Sequence, residues 1–291
     1  MKPYLIDFFH TQAYQASDAA CFLAAYDGIM ARDDARVLWE EAISLYDADV
    51  NCDYGDIIAK ADKAALLCGF HEYTAELLIF ACLSRKLREH YLERGYDLAI
   101  FERSMADLRY KVEECKAVYG VVGSFVAGWF PGFFNLTRFG LGRLQFEIIP
   151  LGCDYSKNGH TLTADTPVLN IHIPRSGEPL TEEACEDAYA RAKAFFGDRL
   201  GDPCPFVCNS WLLFPRHEDF LPKHTNTYRF FKSFDIINQG MDKSRGNLWR
   251  LFDTMEKHPD RLPADTTLRR AYVSYLQAGG QMGYGRGLLF R

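Results

Sequence analysis

The chain has 291 residues, which is enough for two domains of ordinary size, each with its own core. Its 39 acidic residues outnumber the 33 lysines and arginines, the formal net charge is -6, and no basic cluster stands out, so nucleic acid and anionic membranes are not its expected partners. The nine cysteines are odd in number and form no Cys-x-x-Cys pair, so we expect reduced thiols that pack as small apolar side chains, with no disulfide framework and no metal site.

The N-terminus and the apolar segments bear on localisation. Residues 1–7 show no basic region followed by an apolar run, so we predict no signal peptide. The longest apolar runs, such as residues 77–83, are far shorter than the roughly 20 residues that span a bilayer. We therefore expect a soluble, cytoplasmic protein.

Helical periodicity dominates the chain up to about residue 119. Acidic residues at the starts of the periodic segments and glycines just past their ends are the expected punctuation of helices. We predict five helices: one capped by Ser17, one that begins at Asp33–Asp34, and three over residues 56–68, 74–94 and 97–119. Together they predict an N-terminal helical domain over residues 1–127.

The pattern changes after the aromatic segment 128–134, whose Trp and Phe residues we expect to pack the two halves together or to line an acyl-chain pocket. Residues 143–148 alternate as a half-buried strand does, and Asn158–Gly159 is a strong hairpin signal. Further predicted elements are strands at 168–174, 206–213, 227–237 and 282–290 and helices at 182–196 and 265–278. We therefore predict a second domain over residues 128–291, mixed α/β, with a strand, crossover helix and strand at its centre.

Loop 174–181 is the best candidate for binding an anion. It joins an apolar strand to a helix that Thr181 caps, so unpaired backbone N–H groups and a positive dipole end face its surroundings. Arg175 supplies a positive charge, and Ser176 and Gly177 permit close approach of a ligand. Glutamates 178, 182 and 183 crowd the same helix start, so an ordinary capped helix is the alternative.

Candidate catalytic residues lie on the predicted strands. His172 shares one strand face with Asn170 and is a candidate general base, as is Glu147 on the polar face of strand 143–148. Asn209 and Ser210 lie near the end of the next strand, where ligands of open α/β sheets gather. In each case a polar side chain that is satisfied inside the fold is the alternative. Tyr284 is a further candidate proton donor. Residues 138–143 indicate a turn that enters a strand, and Arg138 and Arg143 could still reach a phosphate from a neighbouring strand.

The order of several motifs resembles that of bacterial acyltransferase-domain proteins, which join an N-terminal helical domain to a GNAT-like C-terminal domain. The resemblance covers essentially the whole chain. It is carried by Leu141-Gly142-Arg143-Leu144-Gln145-Phe146-Glu147, by Val168 to Pro174 with Gly177 and Pro179-Leu180-Thr181, by Val207 to Leu213, and by the later Leu221-Pro222, Leu262-Pro263 and Ala278-Gly279-Gly280.

The resemblance implies a site in which an acyl-coenzyme A (acyl-CoA) co-substrate lies between two central parallel strands, here 168–174 and 206–213. Backbone N–H groups near Ile173 would then hold the oxyanion, and residues Arg175, Ser176 and Gly177 would face the pyrophosphate. Asn209 and Ser210 would contact pantetheine or the leaving thiol.

The leading hypothesis is an acyl-CoA-dependent N-acyltransferase that transfers an acyl group, acetyl by preference, to an amine of a small-molecule or peptide acceptor by direct attack. His172 or Glu147 would take the proton of the amine. A GNAT-like binding or regulatory module without catalysis is one alternative, favoured by the acidic helix start and by the absence of the usual Gly-rich loop. A hydrolase that uses Ser210 and His172 is another.

Overall fold

The computed structural model describes residues 1–291, with the side chain of Asp198 left aside. The chain divides into two compact units, Met1–Phe139 and Gly140–Arg291, and each is described by itself. The predicted order, a helical bundle followed by an α/β domain with a mixed central sheet, is confirmed. The domain boundary after residue 127 stays a prediction. Among the helices described, none combines the length and the apolar character that a membrane span requires.

The first unit is a bundle of long helices. One more helix forms before residue 119 than the sequence predicted, because Lys2–Thr11 is helical and buries Leu5, Phe8 and Phe9. The helices are α1 (Lys2–Thr11), α2 (Ala16–Ala31), α3 (Asp33–Ala48), α4 (Tyr54–Cys68), α5 (Glu72–Glu93), α6 (Leu98–Tyr119) and the short α7 (Pro131–Phe134).

The predicted punctuation explains where two of these helices begin and end. The carboxylate of Asp53 accepts hydrogen bonds from the N–H groups of Gly55 and Asp56 at the start of α4, and the carboxylate of Asp97 accepts one from Ala99 at the start of α6. Gly69 and Gly120 adopt left-handed conformations just past the ends of α4 and α6. The side-chain caps and the terminal glycines therefore fix these two helices locally.

The aromatic segment 128–134 packs inside the first unit. Phe130 and Phe134 are fully buried and contact Phe80 of α5, with ring centroids 5.1 and 5.0 Å apart. Phe134 also packs against Tyr46, whose hydroxyl donates a 2.9 Å hydrogen bond to the Phe134 carbonyl. The segment is therefore a 3-10 turn and a short helix anchored in a helical core.

The second unit is built on a mixed sheet. Its described strands are β1 (Arg138–Leu141), β2 (Leu144–Pro150), β5 (Pro167–His172), β6 (Pro205–Ser210), β7 (Asp235–Met241) and β8 (Gly283–Phe290), in the order β1-β2-β5-β6-β8-β7. The strands β3 (Tyr155–Lys157) and β4 (His160–Leu162) form a separate hairpin around the predicted Asn158–Gly159 turn. Only β5 and β6 run parallel in the pairings described, and the crossover between them contains helix α8 (Glu182–Phe196).

The remaining helices of the second unit are α9 (His217–Phe220), α10 (Asn226–Lys232), α11 (Trp249–Phe252) and α12 (Thr267–Gln277). The predicted strand over 227–237 is wrong. Residues 226–232 form a helix because the hydroxyl of Thr225 caps it by accepting a hydrogen bond from Tyr228 N–H, and because its aromatic side chains are buried. The strand begins only at Asp235.

Alternating glycines on β8 create space for the turn that follows β6. A Cβ atom on Gly285 would lie 2.0 Å from the carbonyl oxygen of Leu213, and one on Gly283 would lie 2.3 Å from the ring of Phe214. A Cβ on Gly287 would meet Phe234 and Leu213. The glycine-rich end of the sequence is therefore a strand whose missing side chains let the 3-10 turn Trp211–Leu213 pack directly on the sheet.

We predict that Gly285→Ala destabilises the second unit by about 1–3 kcal/mol, because the added methyl group must displace backbone atoms of Leu213. Gly201→Ala is the matched control, since its Cβ would meet nothing closer than 4.0 Å. Chemical denaturation of both variants measures the difference. Equal free energies of unfolding for the two variants would contradict the close approach.

Candidate functional site

Three polar side chains meet on one face of the sheet. Glu147 lies opposite Asn170 in the antiparallel register of β2 and β5, and His172 is the diagonal neighbour of Glu147. Nε2 of His172 lies 2.6 Å from Oε1 of Glu147, and the side-chain amide of Asn170 donates to the same oxygen at 3.0 Å. The side chain of His172 is 20% exposed and that of Glu147 is 15% exposed, so this pair is largely shielded yet reachable from solvent.

This cluster brings together two residues that the sequence proposed separately. Strand alternation predicted that His172 and Asn170 share a face, and the β2–β5 register adds Glu147 to them. With Nε2–H directed at Glu147, the neutral ring of His172 carries its basic lone pair on Nδ1. The carboxylate stabilises the imidazolium that forms when the ring takes a proton. The arrangement is suited to accepting a proton.

The parallel strands beside this cluster part. Pairing between β5 and β6 covers Leu169 with Phe206 and Asn170 with Val207, although β5 runs on to His172 and β6 to Ser210. Each strand stays paired on its other side, β5 with β2 as far as His172 and β6 with β8 as far as Ser210. The two strands therefore stop pairing with each other over residues 171–172 and 208–210, and we call this unpaired stretch the splay.

Loop 174–178 follows β5 at the mouth of the splay and is held by Arg143. The guanidinium of Arg143 donates to the carbonyls of Pro174 at 3.0 Å and Glu178 at 2.9 Å. Gly177, in between, has a φ of +79° and open space at its Cβ position. In the part of the chain that the structure describes, the N–H groups of Ser176 and Gly177 donate to no backbone carbonyl. The loop therefore has its two outer carbonyls bound to Arg143 and presents N–H groups between them.

The two arginines proposed to reach a phosphate from a neighbouring strand have other contacts. Arg143 is buried and holds loop 174–178 as described. Arg138 lies over the ring of Trp129 at 3.7 Å and donates to the Trp129 carbonyl at 2.9 Å. Both side chains are thus used to hold backbone, and this expectation is corrected.

The start of α8 carries its own negative charge. Thr181 caps the helix by accepting a 3.2 Å hydrogen bond from Ala184 N–H. Hydrogen bonds from the Glu183 backbone and from the Thr181 hydroxyl lower the pKa of the Glu183 carboxyl. A carboxylate therefore already lies at the first turn of α8, which leaves the preceding loop as the better place for a further anion.

Arg175 is oriented by an ion pair that the sequence did not predict. Its guanidinium contacts both carboxylate oxygens of Asp253, with Nη2 2.8 Å from Oδ2. The same Oδ2 atom accepts a 2.5 Å hydrogen bond from Arg269. Asp253 is 78 residues from Arg175 along the chain, so no local pattern predicts this contact.

The remaining candidates line the β6 side of the splay or lie near it. Asn209 is exposed and lies opposite Arg286 of β8. The hydroxyl of Ser210 accepts a 3.2 Å hydrogen bond from Leu212 N–H and so caps the turn that follows. This contact gives Ser210 a structural role, and among its described contacts there is none with a histidine. Tyr284 is exposed, and its hydroxyl lies above Gly240.

The cysteines are free, and most are buried or partly buried. Burial raises the pKa of the Cys185 and Cys204 thiols to about 11, which keeps them protonated and unreactive at neutral pH. Within the described residues, no group of three or more His, Cys, Asp or Glu side chains is placed to hold a metal ion.

A pair of parallel strands that part towards their carboxyl ends, followed by a glycine-containing loop and a capped helix, defines the second unit as a GNAT-like domain. Residues 138–289 match the family of the GNAT-like C-terminal domain, and the chain belongs to that family. Residues 3–136 match the N-acyltransferase N-terminal domain. The resemblance seen in the sequence is thereby confirmed.

Solved structures with the same fold include an acyltransferase in complex with decanoyl-CoA, which is 23% identical, has a TM-score of 0.74, and is matched over 97% of this chain and 86% of that one. An acyltransferase in complex with decanoyl-CoA and teicoplanin is 22% identical, with a TM-score of 0.76 over 98% and 86% of the two chains. A complex with CoA and 10C-teicoplanin has the same values. No curated protein matches the chain in sequence.

We predict that Arg143→Met lowers the free energy of unfolding by about 2 kcal/mol and speeds amide exchange in loop 174–178, because two carbonyls lose a charged donor. Arg191→Met makes the same chemical change at an exposed pair with Asp187 and should stay within about 0.5 kcal/mol of the unmodified protein. Denaturation and hydrogen exchange measure both effects. Unchanged exchange in the loop would show that Arg143 does not hold it.

Proposed function

We propose that the protein is an acyl-CoA-dependent N-acyltransferase. The observation that carries this proposal is the splay between β5 and β6, because it lies between the Glu147–His172 pair and Asn209. Backbone groups at the parted edges have no partner strand there, so they are suited to hydrogen bonding the amides of a pantetheine chain. The solved acyltransferases of the same fold that bind decanoyl-CoA, octanoyl-CoA or CoA support this choice of co-substrate.

In the proposed reaction an acceptor amine attacks the thioester carbonyl carbon directly. A C–N bond forms, the C–S bond breaks, and coenzyme A leaves as its thiolate, which is then protonated. The amine proton passes to the Glu147–His172 pair, directly or through one water molecule. Asn170 holds the carboxylate of Glu147 in place through its 3.0 Å hydrogen bond.

The loop after β5 serves the charged parts of the co-substrate in this proposal. The N–H of Ile173 stabilises the oxyanion, since Pro174 has no N–H to give. Arg175 and the backbone of Ser176 and Gly177 bind the pyrophosphate. Asn209 contacts pantetheine, and Ser210 does so through its backbone because its hydroxyl caps the next turn.

The acceptor is proposed to be an amine on a small molecule or a peptide. The solved structures with teicoplanin or 10C-teicoplanin bound support an acceptor of this kind. We propose that the transferred acyl group is acetyl.

We expect Glu147→Gln and His172→Gln each to lower kcat/KM roughly 100- to 10,000-fold, because either change removes a proton-accepting partner. The assay follows release of the coenzyme A thiol with acetyl-CoA and a panel of primary amines. The Kd for CoA, measured by calorimetry, should change less than about twofold, since uniform binding is untouched.

Glu186→Gln on the exposed side of α8 is the matched control and should keep full activity. The double variant should be no slower than the slower single one, because residues that act as a unit are not additive. Normal turnover in either single variant would remove the pair from the mechanism. CoA binding without turnover in any variant, including the unmodified protein, would favour the non-catalytic module.

Acyl-chain length is tested by comparing acetyl-, octanoyl- and decanoyl-CoA. A buried methylene contributes about 0.8 kcal/mol. Because an octanoyl chain is six methylenes longer than acetyl, an enzyme that buries the whole chain should prefer octanoyl-CoA over acetyl-CoA by roughly 1,000-fold or more. We expect kcat/KM for acetyl-CoA to equal or exceed that for octanoyl-CoA. A preference for the longer donors would replace acetyl with a medium-chain acyl group.

A further inference from the structure

The side chain of Asp253 lies between two arginines from different elements. It contacts Arg175 of the loop after β5 through both carboxylate oxygens, and Arg269 of α12 through Oδ2. Arg269 is held on its other side by Asp265, at 3.0 Å, and by the Leu251 carbonyl, at 2.8 Å. The charges of Arg175, Asp253, Arg269 and Asp265 alternate in sign, so the network is neutral. The contacts of Arg269 with Asp265 and with the Leu251 carbonyl fix its far end.

The backbone of Asp253 is left-handed where α11 ends. Asp253 ends α11 with a φ of 58°, a left-handed conformation that glycine adopts with less strain. Aspartate tolerates this conformation better than most residues but gains nothing from it as a helix end. The ion pairs with Arg175 and Arg269 account for an aspartate at this position.

The pair leaves part of the Arg175 guanidinium available. A guanidinium has five N–H groups, and the two described contacts with Asp253 use one on each terminal nitrogen. The Arg175 side chain is 40% exposed, whereas that of Asp253 is 20% exposed. Asp253 therefore holds the guanidinium through two of its N–H groups, while the Arg175 side chain stays partly exposed.

We propose that Asp253 is a positioning residue for the pyrophosphate of the co-substrate, acting through Arg175. This inference rests on the proposed function. A free arginine on a loop must lose its rotamer freedom when it binds a phosphate, and the Asp253 pair has already fixed it. Two contacts then prepare the loop to bind a diphosphate: Arg143 holds its backbone carbonyls, and Asp253 holds the guanidinium of Arg175.

The sign of one measurement separates positioning from simple electrostatics. Asp253→Asn removes a negative charge near an anion site. The loss of Coulomb repulsion alone would therefore tighten CoA binding, though weakly at physiological ionic strength. Loss of positioning weakens it instead. We expect the Kd for CoA to rise about five- to tenfold in Asp253→Asn, because the freed arginine side chain must be ordered on binding.

The experiment is calorimetry with CoA and with pantetheine, which lacks the pyrophosphate. Arg175→Ala should raise the Kd for CoA roughly 10- to 100-fold, because a charged hydrogen-bond donor is lost. Adding Asp253→Asn to the Arg175→Ala variant should change that Kd by less than about twofold. Pantetheine should bind all variants equally. Asp265→Asn, at the far end of the network, is the matched control and should change CoA affinity less than twofold.

Each outcome decides. The positioning role is wrong if the Asp253→Asn variant binds CoA as tightly as the unmodified protein or more tightly. It is also wrong if Asp253→Asn weakens CoA binding by the same factor in the Arg175→Ala background. In either case the proposed function stands. If the unmodified protein binds no CoA, the proposed function and this inference both fail. Should Asp253→Asn not fold, Arg175→Ala still decides, since unchanged CoA affinity in that variant overturns the inference.

Discussion

The site depends on the parting of β5 and β6, and two anchors account for it. The end of β6 stays on β8 through the Ser210–Gly285 pair, and the turn that follows packs on Gly283, Gly285 and Gly287. The end of β5 stays on β2 as far as His172, and Arg143 draws the next loop towards the β1–β2 turn. Each strand is therefore held from its outer side, and the space between them opens.

The same anchors set the chemistry on either side of the opening. Because β5 keeps its register with β2, Glu147 is held opposite Asn170 and within 2.6 Å of His172. Because β6 turns away after Ser210, Asn209 is left exposed at the other edge. In the proposed function, proton transfer and ligand contacts would thus be supplied by β2, β5 and β6, and glycines and one buried arginine hold the ends of β5 and β6.

Sequence reasoning succeeded where the cause was local. Capping residues and glycines marked α4 and α6, the Asn158–Gly159 turn marked a hairpin, and alternation put Asn170 and His172 on one face. It failed where tertiary packing chose between two local options. The aromatic residues Tyr228, Phe230 and Phe231 suit a strand by propensity, yet the Thr225 cap and burial of their rings make a helix. The contact of Arg143 with Pro174 joins residues 31 positions apart, and that of Asp253 with Arg175 joins residues 78 positions apart, beyond any local pattern.

In the proposed function, this division of roles would account for the departure of loop 174–178 from the usual Gly-rich sequence. A Gly-rich loop binds phosphate with backbone N–H groups that lie close to the helix start. Here Glu183 already lies at the first turn of α8, and Pro174 contributes no N–H. The positive charge that the loop lacks in its backbone is available from Arg175, whose orientation is set by Asp253. A side-chain cation held by a distant carboxylate can thus serve where a run of glycines would otherwise be required.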